Sequence, residues 1–219
     1  MADQLSFDWP TGVALGVQDF FVSDANAQAY AMIEAPDTWP DRKLVIAGPH
    51  GCGKSHLARI FAQAQDAHIL QASALRADDH FDTNVVIVED MEQLPQPCEE
   101  AMFHMHNHLR NTGGTLLMTA QLPPARWNIA LPDLASRMQA TNVVQIANPD
   151  DALLCALLMK LFADRQIMPK PDLIRYLTPR IERSFLAAAN IVARLDDAGL
   201  AQGRKINRDL ARDLLDNSG

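Results

Sequence analysis

The chain has 219 residues, 48% of them hydrophobic, with 19 Lys and Arg against 27 Asp and Glu for a net charge of −8. That length supports one substantial core, or a core plus a small second module. Ordinary hydrophobicity without an apolar run near the ~20 residues of a bilayer span excludes a fibrous, disordered or membrane-spanning chain, and the acidic balance excludes a protein whose main task is to coat nucleic acid. The three cysteines, Cys52, Cys98 and Cys155, are scattered and odd in number, and the first four residues lack the basic start of a signal peptide. A reducing cytoplasm is the expected home.

Residues 1–12, MADQLSFDWPTG, place Leu5, Phe7 and Trp9 ahead of Pro10 and Gly12. Either the segment folds back on the core, or it is a short extended peptide that docks in a partner's pocket with Gln4 as hydrogen bonder and Leu5 and Phe7 as anchors. Residues 20–34 follow as a helix with Ser23 or Asp24 at its N-cap and Phe21-Val22 just before it. Residues 37–42 read as a polar connector. An apolar run, Leu44-Val45-Ile46-Ala47, then breaks at Gly48 and resumes in helical period after Gly53-Lys54-Ser55. This is the strand, loop and helix context that the phosphate-binding pattern G-x-x-x-x-G-K-[ST] requires. Gly48, Gly51 and Gly53 let backbone N–H groups approach phosphate oxygens, Lys54 neutralises charge, and Ser55 is placed to ligate magnesium.

The helix runs to residue 65, and residues 67–71 form a short strand. Residues 83–90 are a buried parallel strand by their unbroken β-branched run, ending in Glu89 and Asp90. Paired acids at that point suit a magnesium-side carboxylate (Glu89) and a water-orienting one (Asp90). Residues 97–111 form an amphipathic helix closed by Gly113-Gly114. His104 and His108 share a face of it, but without an accompanying carboxylate or cysteine they read as surface or packing histidines rather than a metal pair. Residues 115–119 are a further strand, with Gln121 just past its end, within reach of a γ-phosphate or its attacking water. A short helix opened by Pro132 carries Arg137 at its far end, and residues 143–146 give a fifth strand. From residue 148 onward the alternation stops, and helices are expected at about 149–165, 170–178, 182–198 and 206–216.

The phosphate loop, the paired-acid strand, the Thr119-x-Gln121 strand end and the block LPDLASR at 131–137, in that order, resemble the AAA+ ATPase core of the DnaA replication-initiator family over nearly the whole chain. The resemblance implies an α/β fold: a P-loop core with a five-stranded parallel sheet at 13–147, then a small all-helical lid at 148–219. It implies ADP or ATP with Mg2+ as cofactors, nucleotide contacts at Phe21, Val22, Gly48, Gly51, Cys52, Gly53, Lys54, Ser55, His56 and Arg183, and magnesium at Ser55 and Glu89. Arg137 falls on the family's arginine finger and Arg183 on its sensor arginine. Glu89, Asp90 and Gln121 complete the catalytic set, but Glu89 and Gln121 stand where aspartate is more usual, so weak intrinsic hydrolysis is expected.

On the same likeness, Gln4, Leu5 and Phe7 match a peptide that docks on the DNA polymerase III sliding clamp (its beta subunit). DnaA is then the partner whose bound ATP meets Arg137, DNA is reached only through the clamp, and a homo-oligomer is compatible with the fold. DnaA proteins continue into a helix-turn-helix domain that this sequence does not include. The alternatives are an adaptor or loader acting on the replicative helicase or single-stranded DNA, and a P-loop kinase. The kinase would need acceptor-side basic residues close to the phosphate loop, and the sequence offers no such constellation.

Overall fold

The computed structural model describes residues 20–79 and 83–216. Gln4, Leu5 and Phe7 lie outside the described residues. Five strands form one all-parallel sheet: β1 (Lys43–Ala47), β2 (His68–Gln71), β3 (Val85–Glu89), β4 (Thr115–Ala120) and β5 (Asn142–Gln145), in the order β2-β3-β4-β1-β5. Such an order needs helical crossovers on both faces, and the sequence supplies them. The chain leaves β1 for the far edge, returns through β3 and β4, and passes β1 to place β5. The order therefore reverses at β1, and in open parallel sheets ligands bind outside the strand ends at such a switch point.

Alternation along the strands divides the core in two. Leu44, Ile46, Ile87 and Leu117 face α1 (Ala27–Glu34) and α2 (Lys54–Gln65), where Ile33, Leu57 and Phe61 meet them. Val45, Val86, Val88, Leu116 and Met118 face α3 (Glu99–Thr112) and α4 (Pro132–Ala140), packing on Met102, Met105, Leu109, Leu134 and Met138. Beyond the sheet, α5 (Asp151–Ala163), α6 (Pro171–Leu177), α7 (Phe185–Gln202) and α8 (Arg208–Asp216) enclose their own core of Leu154, Leu158, Phe162, Ile174, Ile191 and Leu195. This helical group is the lid.

Element boundaries differ from the sequence reading where side chains compete for backbone groups. Residues 23–26 are a turn rather than a first helical turn. Asn26 donates to the Phe21 carbonyl at 2.9 Å and accepts from the Ser23 amide at 2.8 Å, so the helix starts at Ala27 and Asn26, not Ser23 or Asp24, precedes it. Likewise α5 begins at Asp151 because Asp150 caps it, and α7 begins at Phe185 because the Ser184 hydroxyl accepts from the Ala187 amide at 3.1 Å. The third strand is shorter than expected: Asp90 already has a left-handed φ of 56° and turns out of it. The connector at 37–42 is not simply polar. Trp39 is buried there, donates its indole N–H to the Met32 carbonyl at 2.7 Å and stacks on Phe61 with centroids 5.1 Å apart. Such a pair contributes about 1 kcal/mol beyond its burial, and it fixes how the chain enters β1.

Candidate functional site

The loop between β1 and α2 closes around the amine of Lys54. The residue is 7% exposed, and its Nζ donates to the carbonyls of Gly48 at 2.8 Å and Pro49 at 3.0 Å. Held this way, the loop's Gly48 and Pro49 carbonyls curl around the Lys54 amine. Two glycines make it possible. Gly53 has φ +97°, and a Cβ there would meet the Phe20 ring at 2.9 Å; Gly51 has φ +79°. The N-terminus of α2 starts at Lys54 and adds its dipole to the same spot. Cys52 is buried under the loop 3.9 Å from Lys54 Nζ, and burial pushes its thiol pKa up despite that amine, so it packs rather than reacts. Ser55 is the second residue of α2, and His56 lies edge-on to Phe20 at 5.5 Å. Phe21 is half-buried and Val22 exposed, leading into α1.

The acids gather at the ends of β3 and β4, beside the loop. Glu89 is 6% exposed; its Oε2 accepts from the Gln71 amide at 2.9 Å, while Oε1 is buried with no hydrogen-bond partner among the described residues. A buried carboxylate oxygen left open is a donor waiting for a cation or a bound water. Glu89 and Ser55 are hard oxygen ligands of the kind magnesium takes, a few from protein with several waters kept, and are the residues that could hold it. Asp90 is half-buried, its amide bonded to Thr119 Oγ1 at 3.2 Å. Gln121 is exposed, and its amide donates to Glu92 Oε1 at 3.1 Å. The loop and the acids together suit a phosphorylated nucleotide with its cation. Gln71, which steadies Glu89, escaped the sequence reading because only the pairing of β2 with β3 puts Gln71 opposite Glu89.

The two arginines lie apart. Arg183 precedes α7, whose Phe185 reaches to 3.5 Å of the Cβ position at Gly51, so the lid does lie over the loop. Its guanidinium, however, is largely exposed and bonded to Asp151 at 2.9 and 3.0 Å rather than turned to the loop. Arg137 lies toward the opposite ends of the strands. It occupies the last turn of α4, which leads into β5 at the strand starts, and its guanidinium lies 4.8 Å from the centre of the Phe103 ring. Among the described residues it makes no ion pair with Asp133. The charges of Lys43, the first residue of β1, and of Arg137 act on each other, whereas the phosphate loop follows the last residue of β1. Five strand residues at about 3.3 Å each put roughly 13 Å of sheet between the two.

His104 is exposed and His108 half-buried, as surface or packing histidines are, while His106, on another face of α3, is buried near Arg137. Burial, and then the charges of Lys43, Arg137 and Arg110, lower the His106 pKa to about 4. No group of three His, Cys, Asp or Glu suited to a metal occurs among the described residues, and none of their helices is long and apolar enough to cross a membrane.

No protein-family model matches the sequence. Solved structures do match in fold. Domain III of the replication initiation protein DnaA from Thermotoga maritima superposes with TM-score 0.71 at 16% identity, covering 93% of this chain and 96% of that one. AMPPCP-bound DnaA from Aquifex aeolicus gives 0.67 at 16%, covering 85% of this chain and 66% of that one. The RuvB Holliday junction branch migration motor from Thermotoga maritima gives 0.63 at 15%, covering 88% and 68%. At such identities the likeness is one of fold. The chain shares the fold of these domains, a five-stranded parallel sheet flanked by helices and followed by a helical lid, over nearly the whole length of DnaA domain III.

Proposed function

We propose that this chain is a regulator of replication initiation of the DnaA-inactivator (Hda) type. It binds adenine nucleotide with magnesium at Gly48, Gly51, Gly53, Lys54, Ser55 and Glu89, docks on the sliding clamp through Gln4, Leu5 and Phe7, and supplies Arg137 in trans to ATP held by DnaA. One observation carries the reading. Arg137 stands at the strand starts, about a strand's length from the chain's own phosphate loop, which supports a role toward a nucleotide held by another protein. Its guanidinium is half-buried on Phe103, pre-oriented rather than freely swinging, as a group must be if it is to stabilise charge that develops only in the transition state.

The chain's own site serves as a ligand-binding element. Lys54 and the glycine loop hold phosphates, Glu89 and Ser55 hold the cation, and Arg183 is available to close from the lid. Bound magnesium would neutralise phosphate charge there. The glutamate at 89 and the glutamine at 121 favour retention of nucleotide over turnover. The test mixes the purified chain with DNA-loaded clamp and ATP-bound DnaA and follows hydrolysis. Arg137→Ala is expected to keep the fold, ADP binding and clamp docking, yet lower stimulated hydrolysis by about a thousandfold, as for other in-trans arginine fingers. Full stimulation by that variant refutes the proposal.

A further inference from the structure

The strand starts beneath Arg137 hold more positive charge than the protein neutralises. Lys43 is only 2% exposed, and its ammonium donates to the Asp41 carbonyl at 3.0 Å. Among the described residues it makes no ion pair. Burial lowers its pKa, and of the charges around it Asp41 opposes that shift while Arg110 and Arg137 reinforce it. His106 is 5% exposed, and its Nδ1 is buried without a hydrogen-bond partner among the described residues. Buried cations are ordinarily paired, and buried ring nitrogens ordinarily bonded. Here a buried amine, an orphaned imidazole nitrogen and two guanidinium-bearing side chains converge in a protein of net charge −8.

The backbone makes the same point independently. Asp41 and Arg42, neither a glycine, are consecutive residues with left-handed φ of 50° and 56°. Arg42 is pinned in that turn by its own side chain, which donates to Thr115 Oγ1 at 3.0 Å and to Asp37 at 2.7 Å. In that turn the Asp41 carbonyl accepts from the Lys43 amine, and the Asp41 carboxylate charge opposes only part of the positive charge gathered there. Strain of this kind persists where the surroundings over-determine it, and it is concentrated at ligand sites.

We propose that Lys43, Arg110 and Arg137, with His106 behind them, form an oxyanion site for the terminal phosphates of a nucleoside triphosphate held by a partner protein. The assignment rests on the in-trans reading of Arg137 and extends it: the finger is one member of a cluster. Arg110 is exposed on the last turn of α3 and meets the phosphate directly. Lys43 contributes charge from within, where low dielectric keeps it strong. Burial is the main reason His106 stays uncharged and the cations add to it, so an arriving anion that neutralises those cations raises the imidazole pKa part of the way back.

The test uses the full chain carrying Lys54→Ala, which silences its own phosphate loop. Sodium tripolyphosphate is titrated in while the His106 ring resonance is followed between about pH 4.5 and 7.5. Tripolyphosphate should bring the His106 titration up into that window, and Arg110→Ala or Lys43→Met should weaken the effect. No response overturns the proposal, and so does an equal response to sulfate at matched ionic strength, which marks an adventitious ion only. An equal response to a single-stranded oligonucleotide assigns the cluster to nucleic acid and also overturns it. In the DnaA hydrolysis assay Arg110→Ala should lower stimulation about tenfold, with recovery by Arg110→Lys. If Arg137→Ala abolishes stimulation while Arg110→Ala and Lys43→Met leave it intact, the finger stands alone and the cluster is refuted. If Arg137→Ala itself has no effect, the reading beneath it has failed instead.

Discussion

Acidification should destabilise this protein through His106 well before most carboxylates matter. In the folded chain the imidazole pKa is about 4, against 6.5 for the unfolded one, because protonation would bury a charge beside three cations. Between those values the unfolded chain binds the proton and the folded chain does not, so stability rises with pH across this window and is lost as pH falls from 6.5 toward 4. The full difference corresponds to about 3 kcal/mol at 1.36 kcal/mol per pKa unit, and roughly 2 kcal/mol of it is gone by pH 5. For a chain of this size that is a fall in Tm of about 4–8 °C between pH 7.5 and pH 5. Replacing His106 by Leu removes the titration and the orphaned Nδ1 and fills the buried position with an apolar side chain. Urea unfolding of both proteins at pH 7.5 and pH 5 isolates the histidine, since the carboxylates are common to both. A His106→Leu protein whose stability falls as steeply as the parent's refutes the reasoning.

Lys54→Ala removes a cation that holds two loop carbonyls and should weaken ADP binding by about 1.5–3 kcal/mol, the worth of a charge-assisted hydrogen bond, by calorimetry. Gly53→Ala places a Cβ 2.9 Å from the Phe20 ring at φ +97° and should lower stability by about 2–4 kcal/mol in urea, taking nucleotide binding with it. Asp151→Asn should release Arg183 from its ion pair and tighten ADP binding by a few-fold, while the exposed pair's loss costs stability less than about 1 kcal/mol; unchanged affinity would show that Arg183 never reaches the phosphates. Gln4→Ala with Leu5→Ala should abolish clamp binding in a pull-down and leave Tm within a degree or two, and a drop of several degrees would assign those residues to the core.

The central strands were legible because a parallel strand covered on both faces is an unbroken apolar run, as in Leu44 to Ala47 and Val85 to Val88. The phosphate loop was legible because its glycines and lysine are fixed by local geometry. What escaped depends on residues far apart in sequence. Lys43 and His106 are 63 positions apart, and the charge of one acts on the other only because α3 packs on β4, the neighbour of β1. Phe103 comes beneath Arg137 only because α4 packs on α3, and the Asp151 pairing of Arg183 needs two lid segments side by side. Helix starts were misplaced where the Asn26 side chain ties together the turn before α1, and where Asp150 and Ser184 cap the first-turn amides of α5 and α7 and so set their starts. Trp39 lay in a segment rich in Asp and Pro, and nothing local to it signals a ring sunk against Phe61.

The parallel sheet fixes a kinetic order. With the phosphate loop at the strand ends and Arg137 at the strand starts, no hinge of the lid and no side-chain rotation brings the two together, because five hydrogen-bonded strands hold them apart. In the proposed role, Arg137 therefore acts in a step of molecularity two. Its rate must fall with dilution of either participant, and anything that raises local concentration, such as co-residence on one template, acts as an activator without touching either site.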